Sequence, residues 1–168
     1  MTILASNLKF VRVAHYSEYV AQRGGTKDCV ISSIATAIGQ TYEYVAQLLE
    51  VELQDGKVPQ DFKGVDSLDA IGVLFRAGWS ANPLISDEAI EGRPSRPTHL
   101  ASNEIKKLIK GHRAIVGYLD ADPNVGHHSL AWDGQNAIDC SNGTIVDLKD
   151  ATIHCAMVLT MRARFDDH

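Results

Sequence analysis

The chain contains no run of 18 apolar residues, the length at which a stretch begins to read as a membrane-spanning helix. Its opening, Met1-Thr2-Ile3-Leu4-Ala5-Ser6, lacks the basic segment and long apolar core of a secretory signal. Together these absences argue against a membrane protein and lead to the expectation of a soluble, cytoplasmic one. Cysteine is scarce: three residues, unevenly spaced and without a Cys-x-x-Cys pair, which argues against a disulfide framework and a structural zinc site. The 16 Lys and Arg are scattered and outnumbered by 21 Asp and Glu, for a formal charge of −5, so binding of nucleic acid through a basic face is not expected. No Gly-x-Ser-x-Gly elbow surrounds Ser129, which sets aside a serine hydrolase. The acidic run Asp120-Ala121-Asp122-Pro123-Asn124-Val125 lacks the ligand spacing of a calcium loop and reads as a solvated turn. No metal and no cofactor are therefore expected. With 168 residues, 45% of them apolar, and no repeat, low-complexity tract or linker, residues 1–168 read as a single domain that can bury a sizeable core.

What the chain does have is a cysteine at the start of a helix. In Gly24-Gly25-Thr26-Lys27-Asp28-Cys29 the glycines allow a tight turn, and Thr26 or Asp28 supplies a cap. After Cys29, the residues Val30, Ile31, Ile34, Ala35 and Ile38 recur at helical spacing as a buried stripe, with Ser32, Ser33 and Thr36 elsewhere and Gly39 as the C-cap. A thiol in a helix's first turn sits among unpaired N–H groups at the positive end of the dipole, which favours the thiolate. Free cysteine also serves as a small buried hydrophobe; this is the reading adopted for Cys140 and Cys155.

The second notable segment is Gly126-His127-His128-Ser129-Leu130-Ala131-Trp132. It alternates as a strand, Asp133-Gly134 signals a two-residue hairpin turn, and Gln135 to Cys140 resumes as the returning strand. That register sets His128 directly opposite Asp139, at a Cβ separation of about 4.5 to 5.5 Å, within reach of a carboxylate holding an imidazole N–H. Asp133 lies too far along the strand, roughly 16 Å at about 3.3 Å per residue. Alternation turns His127 to the other face, so His128 is the candidate base, with His127 replacing it if the register slips by one. Asp139 is either the group that orients the imidazole or a turn residue before Cys140-Ser141-Asn142-Gly143. Trp132 shares the face of His128 and either packs in the core or covers a substrate cleft.

The remaining pattern gives a strand at Leu8 to Val13 and a helix over Tyr42 to Val51. A further helix is capped by Asp66 or Ser67, with the stripe Leu68, Ile71, Leu74 and Phe75, and ends at Gly78. Residues Ser80 to Ala101, with Pro83, Pro94 and Pro97, read as irregular. A fourth helix from Ser102 buries Ile105, Leu108 and Ile109. Strands follow at Arg113 to Leu119, His128 to Trp132, Gln135 to Asp139, Thr144 to Leu148 and Ile153 to Met161. Helices first and a mostly antiparallel sheet afterwards make an α+β fold.

The Asp28-Cys29 helix with its following Gly39 and Tyr44-Val45, and the later histidine strand and Asp139, resemble papain-like cysteine peptidases. The similarity is to the bacteriocin-processing type and to small papain-like proteins of phages and bacteria. It runs from about Gly24 to Ile153, with Cys29, His128 and Asp139 on the three matching positions. It implies a central Cys-bearing helix packed on a C-terminal sheet, a catalytic triad of those residues, and a peptide or protein substrate. The expected chemistry is attack of the Cys29 thiolate on an amide carbonyl, hydrolysis of an acyl-enzyme, or resolution of the same intermediate by deamidation or transglutamination. A catalytically silent binding module on the same scaffold, such as a phage factor that captures a host protein, is the alternative of a different class. Two positions depart from the pattern. Gln22, the candidate oxyanion donor, lies one residue further from the cysteine than is usual in that family; a donor there contributes roughly 2.7 to 4 kcal/mol when well placed. Val30 stands where the bacteriocin-processing enzymes carry a small residue, which favours the phage-type relatives.

Overall fold

A computed structural model describes residues 19–25, 27–86, 100–119, 127–149 and 151–162. The expected strand at Leu8 to Val13, the Thr26 cap, the loop Asp120 to Val125 and Gly126 lie outside them. Three helices come first, α1 (Cys29–Ile38), α2 (Tyr42–Leu48) and α3 (Ser67–Arg76), followed by strand β1 (Trp79–Ile85) and helix α4 (Ser102–Ile109). The remaining strands are β2 (Ala114–Leu119), β3 (His127–Trp132), β4 (Ala137–Asp139), β5 (Thr144–Val146) and β6 (Thr152–Met161). They form one six-stranded sheet of order β1-β6-β2-β3-β4-β5, with every pairing antiparallel. This is the expected α+β fold. Among the described residues no helix is long and apolar enough to cross a membrane.

The pleat sends alternate residues to two cores. Ile115, Met157 and Leu159 pack with Ile31, Ile34, Tyr42, Val45, Val73 and Leu74 of the first three helices. Their neighbours Ala114, Val116 and Ala156 join Leu130, Trp132 and Ile153 against Ile105 and Ile109 of α4. Helices thus cover both faces, and α4 enters the chain between β1 and β2.

Helix α1 is buried almost all round, which corrects the expectation of a single apolar stripe. Ser32, Ser33 and Thr36 are buried along with the aliphatic residues, because α1 lies between the sheet and α2 and α3. The Ser33 hydroxyl donates to the Ser129 carbonyl at 3.0 Å, and Thr36 Oγ1 accepts from Val20 N at 2.9 Å. Gly39 closes the helix at φ 67°, as expected of a left-handed cap.

Three further corrections have local causes. The segment Ser80 to Ala101 was expected to be irregular, yet β1 occupies its first part. Pro83 is tolerated because β1 is an edge strand, where a missing N–H forfeits no ladder bond on the open side. Helix α4 starts at Ser102 as expected, the Ser102 hydroxyl accepting from Ile153 N and the Glu104 carboxylate from Ala101 N, but Leu108, expected to be buried, is exposed. On α3, capped by Asp66 through Leu68 N and Asp69 N, the buried residues are Ala70, Val73 and Leu74. Leu68 is 78% exposed and Phe75 56%, the latter under the Arg162 guanidinium. Leu74→Ala should therefore destabilise the fold by about 2 to 5 kcal/mol and Leu68→Ala by about 0.5 kcal/mol or less in urea denaturation. Equal costs would refute this orientation of α3.

Candidate active site

The turn preceding α1 is organised around Asp28. This residue occupies the N-cap position but makes no side-chain bond to the helix. Its carboxyl is fully buried, and Oδ2 accepts from Arg23 N at 2.7 Å, Gly24 N at 2.8 Å and the Tyr42 hydroxyl at 2.7 Å. Gly25, at φ 79°, reverses the chain. Gln22 N donates to the Cys140 carbonyl at 2.9 Å, while its side-chain Nε2 is buried with no hydrogen-bond partner.

Cys29 begins α1 and is 7% exposed. Across from it, the β3–β4 ladder pairs Ala131 with Ile138 and Trp132 with Ala137. The connection is therefore residues 133–136 rather than the expected two-residue turn. Asp133 causes this: its Oδ1 accepts from Gln135 N and Asn136 N at 2.8 and 2.6 Å, an Asx turn that draws two more residues into the loop. The partners shift by two, so a continued ladder would set Leu130, not His128, opposite Asp139. An even shift keeps the same faces together, and the long imidazole reaches a diagonal neighbour. His128 Nε2 and Asp139 Oδ1 are 3.0 Å apart.

Asp139 contacts both the histidine and the turn that follows it. Its Oδ1 also accepts from Ser141 N at 2.8 Å and its carbonyl from Gly143 N at 2.7 Å, so it anchors the following turn as well as the histidine. Burial alone would raise the Asp139 carboxyl, but hydrogen bonds from His128 and Ser141 outweigh it and hold the group below its usual range.

His128 is 5% exposed, with its ring edge-on to Tyr118 at 5.9 Å. Its second nitrogen, Nδ1, is buried without a hydrogen-bond partner. Cys29 is the strongest influence raising the imidazole's proton affinity; burial opposes it, Asp139 adds to it, and the group is pushed up to about 9. The thiol exerts this without completing a hydrogen bond to Nδ1.

Cys29, His127 and His128 line one cavity of about 580 Å³, with Val65, Ala70, Ile115 and Met157 as apolar wall and Lys27, Lys63, Asp66 and Asp69 among its polar groups. His127 is exposed and packs edge-on against His154 at 4.6 Å, away from Asp139. Trp132 is not part of this cleft. It is a core residue whose Nε1 donates to the Ile109 carbonyl at 2.9 Å, and it borders a second cavity beside α4 and β5. Gln22 is not among the residues that line the first cavity. Of the other thiols, Cys140 is buried against Thr36 Oγ1 at 3.4 Å, whereas Cys155, expected to be buried, is half-exposed and lines the same cavity; burial pushes both thiols up.

His154 belongs to the cavity and escaped the sequence reading. The β2–β6 register slips between Gly117 and Tyr118, which pair with Cys155 and Ile153 and leave His154 as the extra residue. A methyl group on Gly117 would stand 2.8 Å from the His154 ring and 2.7 Å from Cys155 Sγ, so only glycine admits this packing. Burial, reinforced by His127, pushes His154 down to about 4, and it is a neutral wall of the cleft. A glycine inside a strand pattern was the available signal.

The architecture is an antiparallel sheet with a cysteine-bearing helix on one face. Among solved structures, it is similar to the peptidase domain of Streptococcus ComA, a bi-functional ABC transporter involved in a quorum-sensing pathway. That likeness has a TM-score of 0.50 at 12% identity and covers 88% of this chain and 100% of that one. At this identity it is a likeness of fold. No protein-family profile and no curated protein matches the sequence.

Proposed function

We propose that this protein is a cysteine-dependent hydrolase that cleaves an amide bond in a peptide or protein. In this reading Cys29 is the nucleophile, His128 the general base and acid, and Asp139 the orienting carboxylate. The observation that carries it is the imidazole held at Nε2 by Asp139 at 3.0 Å, with Nδ1 left unpartnered in the cavity that Cys29 lines. Asp139 selects the tautomer and favours the imidazolium. The thiolate adds to the carbonyl carbon, and N–H groups of the first turn of α1 receive the oxyanion. His128 gives its proton to the leaving amine as the C–N bond breaks. Water then attacks the acyl-enzyme, losing its proton to His128, and the thiolate departs.

Selective alkylation tests this before any substrate is known. At neutral pH iodoacetamide is expected to modify Cys29 well before Cys140 or Cys155, whose thiols burial keeps protonated. His128→Ala is expected to remove that advantage. Peptide mapping of the alkylated protein reads the result; a Cys29 no faster than the other two would end the hydrolase reading and return attention to a binding role.

A further inference from the structure

Cross-strand rows shape the floor of the Cys29 cavity. Ala131, Ile115 and Met157 are partners on β3, β2 and β6, and the next row on the same face is Ser129, Gly117 and Cys155. Directly opposed residues of antiparallel strands present their side chains to one face. The second row carries only a hydroxymethyl group, a hydrogen atom and a thiol, which leaves a trough across three strands. At its end the register slip between Gly117 and Tyr118 inserts His154, and such a bulge brings two successive residues to bear on one partner. The His154 ring and Cys155 Sγ accordingly both crowd the place where a Gly117 side chain would stand. His127 packs edge-on against His154 at 4.6 Å and backs this end of the trough.

The depth of the cavity is apolar and its rim is charged. Ile115, Met157 and Ala70 are buried, whereas Lys63, Asp66 and Asp69 are exposed. Val65, half-buried, adds apolar wall from the segment that leads into α3. His154, kept neutral by burial, brings no charge. The volume of about 580 Å³ lies within the range of ligand pockets, about 300 to 1,000 Å³. His128, 5% exposed and with Nδ1 unpartnered, lines the same space. Asp139 draws its imidazole toward β4, while the trough leads from β3 across β2 to β6. A leaving amine must meet His128, so the trough is placed to receive the part of the substrate that stays on sulfur.

We propose that the trough over Ser129, Gly117 and Cys155 is a subsite for an uncharged aliphatic side chain on the acyl side of the cleaved bond, with Cys155 and Val65 as specificity-determining residues. The inference rests on the hydrolase reading above and names a substrate class for that site.

Two p-nitrophenyl esters test it. With the acetate or the hexanoate, the Cys29 thiolate attacks the carbonyl carbon; the sulfur–acyl bond forms, the ester C–O bond breaks, and p-nitrophenolate leaves. Acetyl ends beside the sulfur, whereas hexanoyl extends along the floor. Hexanoate is expected to acylate Cys29 roughly 10- to 100-fold faster than acetate, relative to the same ratio for free N-acetylcysteine, because its added methylenes leave water. Peptide mapping identifies the acylated residue. Cys155→Phe fills the trough and is expected to bring the ratio to within about twofold of one. Val65→Ser, at a position outside the helices and strands, should lower the ratio by roughly threefold or more. It decides the matter should Cys155→Phe not fold.

A wild-type ratio of one or less would overturn the subsite while leaving the hydrolase reading intact. So would a ratio that stays high in Cys155→Phe or Val65→Ser; general loosening of the site slows both esters alike and leaves the ratio where it was. A wild-type Cys29 that neither ester acylates would instead refute the hydrolase reading itself, and the subsite with it.

Discussion

Cys29→Ala is expected to leave a folded protein with no measurable acyl transfer. Loss of the attacking atom in a triad lowers turnover by on the order of 10⁶. The structural cost is small, about 1 kcal/mol, because the residue begins a helix and only its sulfur is lost. A thermal melt close to that of wild type, together with the absence of a nitrophenolate burst, is the expected pair of results. Amide hydrolysis that survives the substitution would place the chemistry elsewhere in the molecule. The substitution also discriminates between classes of function: a binding module on this scaffold would retain its partner in Cys29→Ala.

Asp139→Asn should lower amide hydrolysis by on the order of 10²- to 10⁴-fold and change its pH profile. In the wild type, His128 is pushed up to about 9, first by Cys29 and then by Asp139, so the proton needed by a leaving amine is lost as pH rises through about 9. The asparagine removes the charge and part of that elevation. The alkaline limb therefore moves down, while the largest single cause of the elevation, the Cys29 thiol, remains. An activated ester needs no proton for its leaving group, and its acylation should lack this limb. Rate against pH for both substrate types checks the prediction; a limb that stays near 9 in the variant would remove Asp139 from the orienting role. Stability follows the same linkage. His128 has a raised affinity in the folded state, so its contribution is complete below about pH 6.5 and lost as pH climbs through about 9. Asp139, held low, contributes above the usual carboxylate range and loses this as pH falls.

Much of this arrangement was legible in the chain. Helical spacing marked α1, and the glycine at 39 marked its end, because both depend on contacts within a few residues. The His128–Asp139 contact was anticipated through a hairpin register that proved to be off by two. It survived because side chains alternate with a period of two, so the error preserved the shared face. Which side chain would bend the turn was not legible, since Asp133-Gly134 suits a two-residue turn equally well and only the Asp133 hydrogen bonds decided otherwise.

Other elements were misread for one reason: burial depends on neighbours distant in sequence. Leu68 and Phe75 fit an apolar stripe, yet α3 turns Ala70 and Val73 inward. Ser33 and Thr36 looked like an outer face, yet β3 and Cys140 supply partners that let them be buried. Pro83 concealed a strand that its edge position permits.

By itself, then, the sequence determined the α+β class, the cysteine at a helix start, and the histidine and aspartate on one face of a strand pair. These follow from local periodicity and turn chemistry. Only the tertiary structure decided that His154 bulges into the cleft, that Trp132 belongs to the core, and that Asp28 turns from capping its helix to grip the Gln22 turn with Tyr42. Those outcomes rest on hydrogen bonds and packing between residues far apart in the chain, whose pairing no local pattern records.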